Sequence, residues 1–272
     1  MKIERIDGVI GMYIGLLACL AILPVLIILL VVYFKDRNKE PMSLLIKLFF
    51  GGFLSCILTL LISGILELFL PFMTGSIANK TFFETLLYAF LGVALVEEFS
   101  KWLMTYLIGY NNNEFDELYD GIVYAIFVSL GFAFIENVLY IFQTASIQTA
   151  LLRAVSAVPS HACDAIFMGY YLSMAKRYAL KGMKEYETKN VWLSILIPAV
   201  LHGIYDFCLM SGYMILVAVF LVFVVILYIL SIGKLKHLSK NNKKIKFKNR
   251  FCNNCGKIVT GEFCSRCGTR QV

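Results

Sequence analysis

The 272 residues carry 60% hydrophobic and only 16% charged side chains, with a formal net charge of +7 and a mean hydropathy of +0.77. Soluble domains average roughly 25% charged and about 45–50% apolar residues, so a secreted, disordered or cytosolic globular chain is excluded. The apolar residues come in long blocks, and about 18 or more with few charges suffice for a helix to cross the roughly 30 Å hydrocarbon core. The chain therefore reads as a polytopic membrane protein.

Seven spans are expected in chain order, at 8–33, 43–70, 82–108, 119–142, 148–175, 191–210 and 213–233, giving an all-α polytopic bundle of about seven transmembrane helices. The first is too long for the apolar core of a signal peptide and is followed by no small-residue cleavage site, so it is expected to be retained. The sixth is the weakest by composition, because Pro198, His202 and Asp206 interrupt it. Lys35, Arg37 and Lys39 follow the first span. Lys176, Arg177, Lys181, Lys184 and Lys189 lie around the loop between the fifth and sixth, and a basic run from Lys234 to Arg250 contains no acid. Basic short loops stay in the cytoplasm, which predicts the N-terminus outside and the C-terminus inside. The loop from Asn111 to Glu117 is acidic, and acids weigh little in that rule. A basic run at a membrane exit points to the anionic surface of the lipid bilayer, and no nucleic acid partner is expected. The chain divides into a transmembrane domain (1–235), a basic linker (236–250) and a small cysteine-rich unit (251–272).

The chemistry lies in what interrupts the apolar spans. The third holds Glu97, Glu98 and Lys101, the fourth Glu136 and Asn137, the fifth His161 and Asp164, the sixth His202 and Asp206. Each ionisable group at a helix centre costs on the order of 2.5–3.5 kcal/mol to insert, so groups on four successive helices are expected to face one another or water. Counting in from the span ends at about 1.5 Å per residue puts Glu98, Glu136, His161 and His202 at depths of roughly 9–24 Å, compatible with one polar cavity. Lys101 is four residues from Glu97 and three from Glu98, and His202 is four from Asp206, so each set shares a helix face. His161 with Asp164 repeats the pattern more loosely. Polar contacts that only register the bundle would account for one or two such residues. The full set suits either an enzyme or a proton-coupled transporter or receptor, because both use Asp, Glu and His inside the membrane.

At the C-terminus, Cys252-x2-Cys255 and Cys264-x2-Cys267 are separated by eight residues, and each pair is followed by a glycine. Two such pairs supply four thiolates to a closed tetrahedral structural Zn2+ site, a small zinc-ribbon with no position for a catalytic water. So small a unit is expected to fold only with its metal. Cys19, Cys56, Cys163 and Cys208 are scattered through apolar blocks and read as packing residues.

The ordered motifs Glu97-Glu98-x-x-Lys101, Glu117-x-x-Asp120-Gly121-Ile122-x-Tyr124, Gly131-Phe132-x-x-x-Glu136-Asn137-x-x-Tyr140, Arg153 with Pro159-x-His161 and Gly169-Tyr170-Tyr171, and His202-Gly203-x-Tyr205-Asp206-Phe207 resemble those of the PrsW family of intramembrane proteases. That family is itself similar to the type II CAAX prenyl endopeptidases, which combine a glutamate pair with a late His-x-x-x-Asn/Asp motif, here His202 to Asp206. The likeness runs from about Glu97 to Phe207 and departs at Leu118, where a proline is expected.

What the resemblance implies is an enzyme of the bacterial cytoplasmic membrane. It would cut a single-pass membrane protein, an anti-sigma factor, at the first step of regulated proteolysis. Its activity is associated with residues corresponding here to Glu97, Glu98, Glu136, His161 and His202, with Asp206 completing the late motif and Lys101, Asn137, Glu117 and Asp120 in support. Chemically, a buried glutamate can take a proton from water, and Glu98, beside Glu97 and Lys101, is the expected base, with the histidines stabilising the oxyanion. The alternative is an active-site metal held by two histidines and a carboxylate. It is the less favoured, because a lysine stands beside the glutamates and no His-Glu-x-x-His helix is present. A prenyl-protease activity would follow if the cavity opened to the cytoplasm.

Overall fold

The computed structural model describes residues 2–240, 242, 244, 250–252, 254–259 and 263–270. Among the described residues, seven helical rods follow the seven apolar blocks. Five are single helices long and apolar enough to cross a membrane: α1 (Lys2–Lys35), α2 (Met42–Glu67), α5 (Asp120–Thr144), α8 (Lys184–Met210) and α9 (Met214–Lys240). The other two are composite. Residues 82–110 run through α3 (Phe82–Leu87), a π-helical stretch (Tyr88–Ala94), α4 (Leu95–Thr105) and a second π-helical stretch (Tyr106–Tyr110). Residues 147–180 run through α6 (Ile147–Leu152), a π-helical stretch (Arg153–Ala157) and α7 (Val158–Leu180). The weak sixth block forms α8 in full, with Pro198 inside it.

The last helix outruns its expected limit at 233. It continues to Lys240 because lysines are good helix formers and because His237 and Lys240 in its last turn complement the helix dipole. The expected linker therefore begins as helix. Of its lysines, Lys243, Lys246 and Lys248 lie outside the described residues. Asn242 is anchored: its side-chain amide donates to Glu117 Oε2, and its carbonyl oxygen accepts from Tyr119 N at 3.1 Å.

Helix α5 is the axis of the bundle. Every residue from Asp120 to Ala133 is buried, with α2 and α7 as its main neighbours and α1 also against it, while α8 packs on α7 and α9 leans on both. Without a hydrophobic drive between helices in lipid, such packing relies on small residues that let backbones approach. Gly52 and Gly131 meet where α2 crosses α5, and a Cβ on Gly131 would stand 2.0 Å from the Phe49 carbonyl oxygen. Gly121 and Gly169 do the same for α5 and α7, where a Cβ on Gly169 would lie 2.2 Å from the Gly121 carbonyl oxygen. The exposed leucines, isoleucines and phenylalanines of α1, α2 and α9 form the surface that lipid covers.

Candidate active site

The close crossings of α5 bring four rods together around a cavity of about 350 Å³. Lys101, on α4, is fully buried. Its ammonium lies 3.1 Å from Glu97 Oε2, 2.8 Å from Glu98 Oε1 and 3.2 Å from His161 Nδ1, and it stands 4.1 Å over the ring of Phe132. Because an ammonium only donates, His161 Nδ1 accepts, and its Nε2 carries the proton that it donates to Glu136 Oε2 at 2.8 Å. His202 faces carboxylates on both sides: Nδ1 is 2.9 Å from Glu98 Oε1, and Nε2 is 3.4 Å from Asp206 Oδ2 and 3.9 Å from Glu97 Oε2. Protonated, the ring donates from Nδ1 to Glu98, while Nε2 stays in ion-pair range of Asp206, whose Oδ2 has no hydrogen-bond partner. The two histidine rings meet edge to face at 5.3 Å.

Glu97, Glu98, Glu136, His161, His202, Asp206, Lys101 and Asn137 thus converge as the sequence implies, but their roles divide differently. The cavity is lined by Glu97, Glu136, His161, Asp164, His202 and Asp206, whereas Glu98 and Lys101 have no exposed surface. The sequence favours Glu98 as the base; in the structure Glu97 reaches the cavity, while Glu98 lies behind it, holding Lys101 and His202. The loose pair of His161 with Asp164 does not form. His161 uses both nitrogens on Lys101 and Glu136, and Asp164 Oδ1 is left buried with no hydrogen-bond partner.

The sequence assigns Arg153 no role beyond its place in a motif. It pairs with Glu136 Oε2 at 2.8 Å, donates from Nε to Asn137 Oδ1 at 2.7 Å, and stacks 4.0 Å over Tyr140. An arginine inside an apolar block was the available signal. It sits in the π-helical stretch that leads into α7, and another such stretch leads into α4; π-turns often mark functional sites because they re-aim the following helix.

Glu117 and Asp120 are not part of this cluster. Asp120 opens α5, sixteen residues before Glu136, about 24 Å along the helix. Its Oδ2 accepts from the Asp116 and Glu117 amides at 2.9 and 2.6 Å, while Glu117 receives the side-chain amides of Asn38, at 2.5 Å, and Asn242. Asp36 and Glu40 complete an acidic group at that end. Burial pushes Asp36 up to about 6 and Glu40 up to about 7. These residues organise the loops at the opposite membrane face.

Among the described residues, two sets of side chains have the donor chemistry of a metal site. Cys252, Cys255, Cys264 and Cys267 gather within 4.8 Å of one another, with Sγ atoms of facing pairs 3.4 and 3.5 Å apart. The two knuckles are alike: Gly256 N donates to Cys252 O and Gly268 N to Cys264 O, with both glycines at positive φ, 68° and 71°. This set fits a tetrahedral ion. Glu97, Glu98, His161 and His202 also lie within 4.8 Å, but the Lys101 ammonium stands among them, in contact with three of the four. As arranged, these donors already hold a cation and do not fit a second one.

Acids and histidines around a cavity, with a buried lysine behind them, within an apolar helical bundle define a polytopic membrane protein with a titratable site among its spans. Residues 40–231 match the model of the PrsW family, described as intramembrane metalloproteases. The chain is 39% identical to Protease PrsW of Oceanobacillus iheyensis over 221 residues, 81% of this chain and 94% of that protein. It is 37% identical to Protease PrsW of Clostridioides difficile over 85% of this chain and 94% of the relative, and 35% identical to Protease PrsW of Bacillus subtilis over 65% and 75%. No solved structure matches. The chain belongs to the PrsW family and is an intramembrane protease.

Proposed function

We propose that this protease cleaves a single-pass membrane protein, of the anti-sigma-factor kind, by metal-free water activation at Glu97. The observation that carries the reading is that Glu97 alone of the paired glutamates opens onto the cavity, with the Lys101 ammonium fixed at its back. Glu97 takes a proton from a cavity water as the hydroxide adds to the scissile carbonyl carbon. His202 donates a hydrogen bond to the oxyanion that forms, and the Glu97 proton passes to the amine as the peptide bond breaks. Glu136, held by Arg153 and His161, positions the histidine across the cavity. The test is coexpression with single-pass membrane proteins of the same genome, read as loss of the full-length substrate; if wild type and Glu97→Gln deplete the same substrate equally, the reading fails.

We further assign the N-terminus to the outside and the C-terminus to the cytoplasm, from the basic loops. Reporters fused after Phe34 and after Val272 are both expected to read cytoplasmic, and an external signal from either would reverse the assignment.

The four cysteines are proposed to hold one structural zinc. Purified full-length protein is expected to contain one zinc per chain, and the Cys252→Ser/Cys264→Ser variant none, with cleavage retained. One zinc persisting in that variant would put a metal in the membrane site and count against the metal-free mechanism.

A further inference from the structure

At the opposite end of the bundle from the proteolytic cavity, a groove of about 780 Å³ lies between α7 and α9. His161 and Arg177 are sixteen residues apart on α7, about 24 Å along the helix. The walls of the groove are apolar, with Met174, Ile229 and Leu230 among them; among the described residues its charged or titratable members are Arg177, Lys234, His237 and Tyr170, with no acid. Gly233 leaves the wall open, for a Cβ there would meet nothing within 4 Å. Lys234 is caged by aromatic rings: its ammonium is 3.5 Å from the centroid of Tyr170, 5.1 Å from Phe167 and 5.6 Å from Tyr171. Neither Lys234 nor Arg177 has a carboxylate partner among the described residues. Rings hold the lysine in place without neutralising it.

Depth fits a lipid headgroup. Arg177 is three residues from the end of α7 and Lys234 six from the end of α9, about 5 and 9 Å. That is the level where the hydrocarbon core gives way to the polar region of the bilayer.

We propose that this groove binds one anionic phospholipid, with its phosphate between Lys234 and Arg177 and its acyl chains along the apolar wall. A zwitterionic lipid leaves the two cations only partly matched, and a soluble anion leaves the apolar wall uncovered. The site is independent of the catalytic reading, since it is measured by binding and not by cleavage.

The experiment is native mass spectrometry of delipidated full-length protein titrated with phosphatidylglycerol or phosphatidylcholine. A cation beside an anionic headgroup is worth roughly fivefold in affinity, so wild type is expected to prefer phosphatidylglycerol by about twenty-five-fold at one site. The Arg177→Gln/Lys234→Gln variant should lose that preference, Lys234→Arg should keep it, and Lys181→Gln/Lys189→Gln, which removes charge from the same membrane face outside the groove, should keep it too. Equal binding of both lipids by wild type overturns the proposal, as does an unchanged preference in the groove variant or loss of preference in the loop variant. Displacement of the bound lipid by inorganic phosphate alone would show a site for a free anion and overturn the commitment to lipid.

Discussion

Glu97→Gln is expected to lower cleavage of a coexpressed substrate by about 10²–10⁴-fold, the usual contribution of a positioned general base, while thermal unfolding stays close to that of the wild type. The substitution keeps the shape of the side chain and removes its capacity to take a proton, together with one of the two carboxylate charges beside Lys101. Glu97 lines the cavity, so the loss of charge is partly compensated by water there. Glu98→Gln is expected to act differently. That carboxylate is fully buried, receives the Lys101 ammonium at 2.8 Å and faces His202 Nδ1 at 2.9 Å, so its neutralisation leaves a buried cation less well matched and frees the His202 ring. Activity and thermal stability should fall together. The pair of variants separates the two roles: a stable, inactive Glu98→Gln beside an active Glu97→Gln would make Glu98 the base.

Lys101→Met is expected to be the most destabilising single change in the cavity, by about 3–5 kcal/mol, the cost of leaving buried charges without their partner. It would strip Glu97 and Glu98 of their shared cation and leave His161 Nδ1 without a donor. Arginine does not replace it, because a planar guanidinium needs more room than a point charge beneath the Phe132 ring. Combining Lys101→Met with Glu98→Gln removes a positive and a negative charge together, so the double variant should lose less stability than the two single losses summed. Unfolding of the four proteins in one detergent checks this, and strict additivity would show that the contacts are not energetically coupled. The same variant bears on the metal question. If Lys101→Met stayed folded, took up an additional zinc and cleaved normally, the lysine would be a stand-in for a metal rather than the resident cation of the site.

The sequence by itself determined the number and order of the spans, because an apolar run has one stable place in a bilayer, and it determined the contacts made within one helix. Glu97, Glu98 and Lys101 lie together at three- and four-residue spacing, and so do His202 and Asp206. The cysteine knuckles were equally legible, since four thiols and two glycines within seventeen residues leave the chain few ways to turn. Tertiary structure alone decided what depends on helix rotation and tilt. Sequence gives depth along a helix, but not the direction in which a face points, and the π-helical stretches at Tyr88–Ala94 and Arg153–Ala157 change that direction just before α4 and α7. For this reason Glu97 rather than Glu98 meets the cavity, and His161 finds Glu136 across the bundle rather than Asp164 on its own helix. For the same reason Arg153 arrives beside Glu136 and Asn137. Glu117 and Asp120 share a motif order with the site but lie at the start of α5, because neighbours in a list of motifs can be separated by about 24 Å of one membrane helix.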